Sequence, residues 1–317
     1  MSRTFRSVIA ATLLALMASG PYSAAMAADP PAATPVPKGL VSYKDLLARP
    51  HVSPDARIAY GAAPQQYGDL WLPKGQGKHP VVVILHGGCW LASLPSTELM
   101  DPMAQDLRGR GYAVWNLAYR RVGEPGGGYP GTFSDVAAGI DFLKTLQARR
   151  HLDLNRVVVV GHSAGGHLAA WAIARDRISA ASPLHTPHPL RLRGAVSLAG
   201  IPDLEFARKD GLAACDGPPT IDGLVGAASR PGQDPYADTS PARLLPFKTG
   251  MEMLTGALDP IVPPHYGLDF AARAVDAGTP VQHHTLPGAG HFELIDPKAK
   301  AWTEVLAAIH LVSTPAD

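Results

Sequence analysis

Alternating strand and helix patterns, two uninterrupted runs of aliphatic residues, and a break in that rhythm after residue 201 predict an α/β fold. Its centre is a mostly parallel sheet with helices on both faces, interrupted by a small cap insertion. The two runs are Val81-Val82-Val83-Ile84-Leu85 and Val157-Val158-Val159-Val160. Such runs suit strands buried on both faces, which is the environment of a parallel sheet. Early strands are expected at 57–60 and 67–72, where the pattern alternates as in a hairpin. Further strands are expected at 112–117, 194–198, 251–254 and 281–286. Helical spacing falls at 97–109, from a Ser134-Asp135 cap to about 149, and at 168–175, 266–277 and 299–311. Residues 202–248 hold many Gly, Pro, Asp and Ala and show weak periodicity, so they are assigned to the cap.

The chain has 317 residues, enough for one large α/β domain with a sizeable core. Its formal net charge is +1, which gives no electrostatic reason to expect nucleic acid or an anionic membrane as partner. Residues 1–27 have the order of an export signal: Arg3 and Arg6, a short apolar run, then Ala25-Met26-Ala27. Cleavage is expected after Ala27, which places the protein in the periplasm or outside the cell. The mature form then has no membrane span, because the apolar run is shorter than the roughly 20 residues a bilayer needs. Residues 28–56 read as a lead-in, Pro- and Ala-rich as far as about 39, and 57–317 as the α/β domain that holds the cap insertion. The cysteines, Cys89 and Cys215, stay open between a disulfide in an oxidising compartment and two buried thiols. Oligomeric state is not readable.

The chemistry-bearing motif is Gly161-His162-Ser163-Ala164-Gly165-Gly166, directly after one buried strand and before a helix. A serine at a sharp strand-to-helix turn is pushed out above the sheet, and small neighbours let strand and helix approach. His86-Gly87-Gly88-Cys89-Trp90 follows the other buried strand. Acyl transfer develops an oxyanion, and glycine-rich backbone offers N–H donors to it. The donors are assigned to Gly87, Gly88 and Ala164. His86 is expected to brace this loop, and Trp90 to pack or to form one wall of the acyl pocket. A serine hydroxyl needs a base oriented by an acid. Asp259 and His291 lie just past the strands at 251–254 and 281–286, where ligands bind in open parallel sheets. Asp259 is assigned as the orienting acid and His291 as the base, with Ser163 as nucleophile.

Other histidines fit less well. His283 and His284 fall within a strand and are expected on opposite faces. His162 is expected to shape the pocket or bond locally, and His167 to be structural. No metal motif and no phosphate loop is present, so neither metal nor cofactor is expected; Gly126-Gly127-Gly128 reads as a flexible surface turn.

On H-G-G-x-W and G-H-S-A-G-G-H, from about Gly68 onward, the chain resembles the α/β-hydrolase superfamily, in the branch of kynurenine-formamidase-like proteins and small acyl esterases. The resemblance implies an eight-stranded sheet and cofactor-free hydrolysis of a small-molecule ester or amide. It is also similar to prolyl-oligopeptidase-type catalytic domains, but lacks room for their propeller. The first reading is a carboxylesterase acting through an acyl-enzyme, on small or medium acyl esters such as those of plant polysaccharides. An arylformamidase or amidase is the second. A catalytically idle binding protein is the third.

Overall fold

The computed structural model describes residues 39–314, so the expected leader and most of the Pro-rich lead-in lie outside the described residues. Eight strands form one sheet: β1 (Ala56–Ala59), β2 (Tyr67–Trp71), β3 (His79–Leu85), β4 (Ala113–Leu117), β5 (Leu152–His162), β6 (Gly194–Leu198), β7 (Gly250–Gly256) and β8 (Val281–Leu286). Their order is β1-β2-β4-β3-β5-β6-β7-β8. The β1–β2 and β2–β4 pairs are antiparallel, and every later pair is parallel. All expected strands are present, with ends shifted by a few residues.

The helices are α1 (Tyr43–Leu47), α2 (Asp101–Gly109), α3 (Gly131–Asp141), α4 (Leu143–Arg150), α5 (Ala164–Ile173), α6 (Leu204–Asp210), α7 (Pro218–Val225), α8 (His265–Asp276) and α9 (Trp302–Ser313). The α5 helix packs on β5 and β6, and α9 crosses β5, β6 and β7. Both aliphatic runs are fully buried, as strands covered on two faces must be.

The chain runs from β3 outward to β4, then returns to place β5 on the other side of β3. That reversal opens a crevice at the carboxyl ends of β3 and β5. The loops after β3, β5, β7 and β8 all leave the sheet at this rim. In-register pairs run along it from Leu85↔Gly161, through Gly161↔Ser197 and Leu198↔Leu254, to Gly256↔Leu286.

Four expectations about elements change. The helix expected from Ser134 starts earlier, at Gly131 after Pro130, and divides at Phe142 into α3 and α4. Ser134 is no cap; Asp135 beside it is buried and bonded to Arg120 and Gln66. The helix expected at 168 begins four residues sooner, directly after Ser163, because tertiary packing overrides the poor helix propensity of its glycines. The cap region holds two helices. Asp203 caps α6 by accepting from Phe206 N–H, and Gly211 ends it in the left-handed region at φ +94°. Finally, Gly126-Gly127-Gly128 is a packed turn: a Cβ on Gly127 would lie 1.8 Å from the Arg121 carbonyl, and Gly128 N–H donates to Thr132 Oγ1.

Part of the lead-in is also anchored. Ser42 and Asp45 form a reciprocal capping box at α1. Arg49 pairs with Asp296, and Val41 N–H donates to Glu293.

Candidate active site

Ser163 stands between β5 and α5 with φ +56° and ψ −120°, outside the regions open to an ordinary L-residue. Its neighbours show what permits this. A Cβ on Gly161 would sit 1.9 Å from the Gly165 carbonyl oxygen, and one on Gly165 would sit 2.0 Å from that of Leu85. Strand, turn and helix thus pack backbone against backbone, and a hydrogen bond from Ser163 N–H to the Leu198 carbonyl (2.8 Å) fixes the turn. Strain of this kind costs on the order of 1–3 kcal/mol and persists where the surroundings over-determine it.

The loop after β3 is equally constrained. Gly88, Cys89 and Trp90 all have positive φ, at 98°, 49° and 57°. His86 is fully buried, stacked on Tyr119 at 4.3 Å, and donates from Nδ1 to the Gly87 carbonyl. Burial, aided by the nearby Arg121, pushes its pKa down to about 3, so it braces the loop as a neutral ring. Among the described residues, the N–H groups of Gly87, Gly88 and Ala164 donate to no backbone acceptor. Ala164 also opens α5, whose N-terminus favours negative charge.

Cys89 is bonded to Cys215 with Cα atoms 5.3 Å apart, which closes the alternative the sequence left open. The bond ties the glycine loop to the cap. Trp90 is fully buried, edge-on to His167 at 5.4 Å, which favours packing over an open wall.

His291 and Asp259 meet as expected from their positions after β8 and β7. The imidazole Nδ1 lies 2.6 Å from Asp259 Oδ2, with both side chains almost fully buried. The other carboxylate oxygen, Oδ1, accepts from the N–H groups of Ile261 and Val262 at 2.8 and 2.9 Å. The carboxylate is therefore fixed on both oxygens and dictates the tautomer with Nδ1 protonated, which leaves a lone pair on Nε2. No hydrogen bond links Ser163 Oγ to His291 Nε2 among the described residues.

His162 is 1% exposed, and its Nε2 lies 3.0 Å from the His291 carbonyl, so it reaches the loop that carries His291 and not open solvent. His167 is buried and donates to the Thr239 carbonyl of the cap, with its pKa pushed down to about 4 by burial. His284 pairs with Glu252 and His283 with Thr255, on opposite faces of β8. A residue of this site that the sequence analysis does not single out is Glu293. Its carboxylate accepts from Gly290 N–H (3.0 Å) and Val41 N–H, clamping the turn that carries His291. Its place two residues past His291 was the available signal.

Residues 69–273 match the family model BD-FAE. The chain belongs to the BD-FAE family. A probable isoprenylcysteine alpha-carbonyl methylesterase of Arabidopsis thaliana is 33% identical over 122 residues, covering 38% of this chain and 25% of that protein. A kynurenine formamidase of Danio rerio is 29% identical over 151 residues, covering 47% of this chain and 46% of that protein. The chain thus spans about a quarter to a half of these curated relatives. Among solved structures, inhibited esterase B of Lactobacillus rhamnosis superposes with a TM-score of 0.71 at 19% identity, covering 86% of this chain and 92% of that one. A truncated carbohydrate esterase from gut microbiota gives 0.69 at 18% identity, covering 84% and 98%. At these identities the likeness is one of fold, the α/β-hydrolase fold. Ester hydrolysis recurs in the names of the family's relatives. No helix among the described residues is long and apolar enough to cross a membrane, and no metal-binding cluster occurs among them.

Proposed function

We propose that this protein is a serine hydrolase that cleaves carboxylic esters of small molecules through an acyl-enzyme. The observation that carries the reading is the His291–Asp259 pair, bonded at 2.6 Å, on the same sheet rim as a serine held at φ +56°.

In this reading Ser163 Oγ attacks the ester carbonyl carbon while His291 Nε2 takes its proton. Asp259 holds Nδ1–H and stabilises the imidazolium that forms. The oxyanion is received by the N–H groups of Gly87, Gly88 and Ala164, each such donor being worth roughly 3 kcal/mol. The imidazolium gives its proton to the leaving alkoxide, and the acyl group stays on Ser163. Water then repeats the sequence, with His291 as base, and releases the acid.

The decisive experiment couples a fluorophosphonate probe with turnover of p-nitrophenyl esters of rising chain length. Ser163→Ala is expected to abolish labelling and lower kcat by about 10⁴-fold or more, with the melting temperature nearly unchanged. Near wild-type turnover in that variant would remove Ser163 from the mechanism. The likeness to a kynurenine formamidase favours an amide reading as the alternative. N-formylkynurenine turned over faster than every ester in the panel would select it. Export through a leader cut after Ala27 belongs to the same proposal, and the Cys89–Cys215 bond fits an oxidising compartment.

A further inference from the structure

The turn that carries His291 has little stiffness of its own. It reads Pro287-Gly288-Ala289-Gly290, with Gly288 at φ +73°. Its position is set by bonds to other elements. Gly290 N–H reaches Glu293, the Ala289 carbonyl accepts from Leu258 N–H, and the His291 ring is held by Asp259. The remaining anchor comes from the strand that carries the nucleophile. His162, the residue before Ser163, has its Nε2 3.0 Å from the His291 carbonyl oxygen.

A carbonyl only accepts, so His162 Nε2 carries a proton and donates. The ring is almost fully buried, and burial, reinforced by the neighbouring His291, holds it neutral. Its Nδ1 therefore bears a lone pair, and that atom has no partner among the described residues. The space over Nδ1 is filled by backbone: a Cβ on Gly87 would lie 3.0 Å from it and 3.2 Å from Ser163 Cβ. The other face of the ring lies against His291, with centroids 4.4 Å apart, and near Phe292 at 5.7 Å. One imidazole thus touches the glycine loop, the nucleophile strand and the base loop.

Resting on the hydrolase reading above, we infer that His162 is a positioning residue: through Nε2–H to the His291 carbonyl, it sets the base relative to the Ser163 hydroxyl. It touches no reacting atom. Its effect is geometric, and a misplacement of about 1 Å between reacting groups costs on the order of 10²-fold in rate. The same ring bears on Gly87, where a Cβ would lie 3.0 Å from Nδ1, tighter than an ordinary contact.

Amide substitutions separate the donor from the bulk. The amide nitrogen of glutamine falls near the place of Nε2, whereas that of asparagine falls near Nδ1 and cannot reach the carbonyl. With p-nitrophenyl acetate, His162→Asn is expected to lose about 10- to 100-fold in kcat with KM changed by less than about threefold. His162→Gln is expected to stay within about fivefold of wild type. A purely structural histidine would leave both variants equally impaired, in step with their melting temperatures, and that result overturns the inference. Hydrogen exchange over residues 287–292 reads the anchor without any turnover. Exchange should quicken by about tenfold in His162→Asn and stay near wild type in His162→Gln. Unchanged exchange in the asparagine variant overturns the anchor whether or not the protein is an esterase. A wild-type chain that the fluorophosphonate fails to label overturns only the hydrolase reading.

Discussion

At the scale of single residues, the tautomer of His291 is the most exposed dependency. Asp259 Oδ2 accepts from Nδ1, and Oδ1 is occupied by the amides of Ile261 and Val262. In Asp259→Asn the amide oxygen keeps those two N–H bonds, so the NH₂ group faces His291 and donates to Nδ1. The proton is then forced onto Nε2, the atom that must accept from Ser163. The expected result is a loss of about 10³- to 10⁴-fold in kcat with KM nearly constant. A loss below tenfold in steady-state turnover would show that Asp259 does not orient the base. The positions of Ser163, Asp259 and His291 were legible because each follows a strand, after β5, β7 and β8 in chain order. Glu293 and His162 were less legible. Their roles depend on which backbone groups lie beside them, and spacing carries no information about that.

At the scale of elements, the loop after β3 depends on the cap. Gly88, Cys89 and Trp90 hold left-handed backbone, and Cys89 is covalently tied to Cys215, 126 residues further on. Closing a loop of that size removes unfolded-state entropy worth about 4–5 kcal/mol in the chain-entropy description. Cys215→Ser, or reduction by dithiothreitol, should lower the melting temperature by roughly 10 °C. Below that melting temperature it should also lower kcat, because the strained loop loses the tie that holds Gly87 and Gly88. Thermal scans beside ester turnover test both halves, and undiminished kcat in the reduced protein would separate the loop from the cap. Strand positions were readable from the aliphatic runs. The helices of the cap were not, because α6 and α7 are short and their apolar faces become evident only once packed. The start of α5 was hidden by Gly165 and Gly166, which serve close packing at the expense of helix propensity.

At the scale of the whole molecule, the rim is assembled around neutral histidines. His86 and His167 are fully buried, with pKa values pushed down to about 3 and about 4, chiefly by burial. His162 is held well below the ordinary value by burial and by His291. In the unfolded chain all three titrate near 6.5. Because the folded values are depressed, the unfolded state binds more protons throughout the interval between them. Stability is therefore complete above about pH 6.5 and falls as the pH drops toward 4, and toward 3 for His86. His86 and His167 each contribute a slope of up to about 1.4 kcal/mol per pH unit, about 3 kcal/mol per unit together, and His162 acts in the same direction. Against a typical domain stability of about 5–15 kcal/mol, the folded chain should fail near pH 4 to 5. Urea midpoints measured at pH 7.5, 6, 5 and 4.5 should decline with this steepness. His167→Gln, which keeps a donor for the Thr239 carbonyl without a titrating ring, should flatten the decline by about one proton. A midpoint constant from pH 7.5 to 4.5 would mean that these rings accept protons in the folded state, and the neutral rim would have to be abandoned.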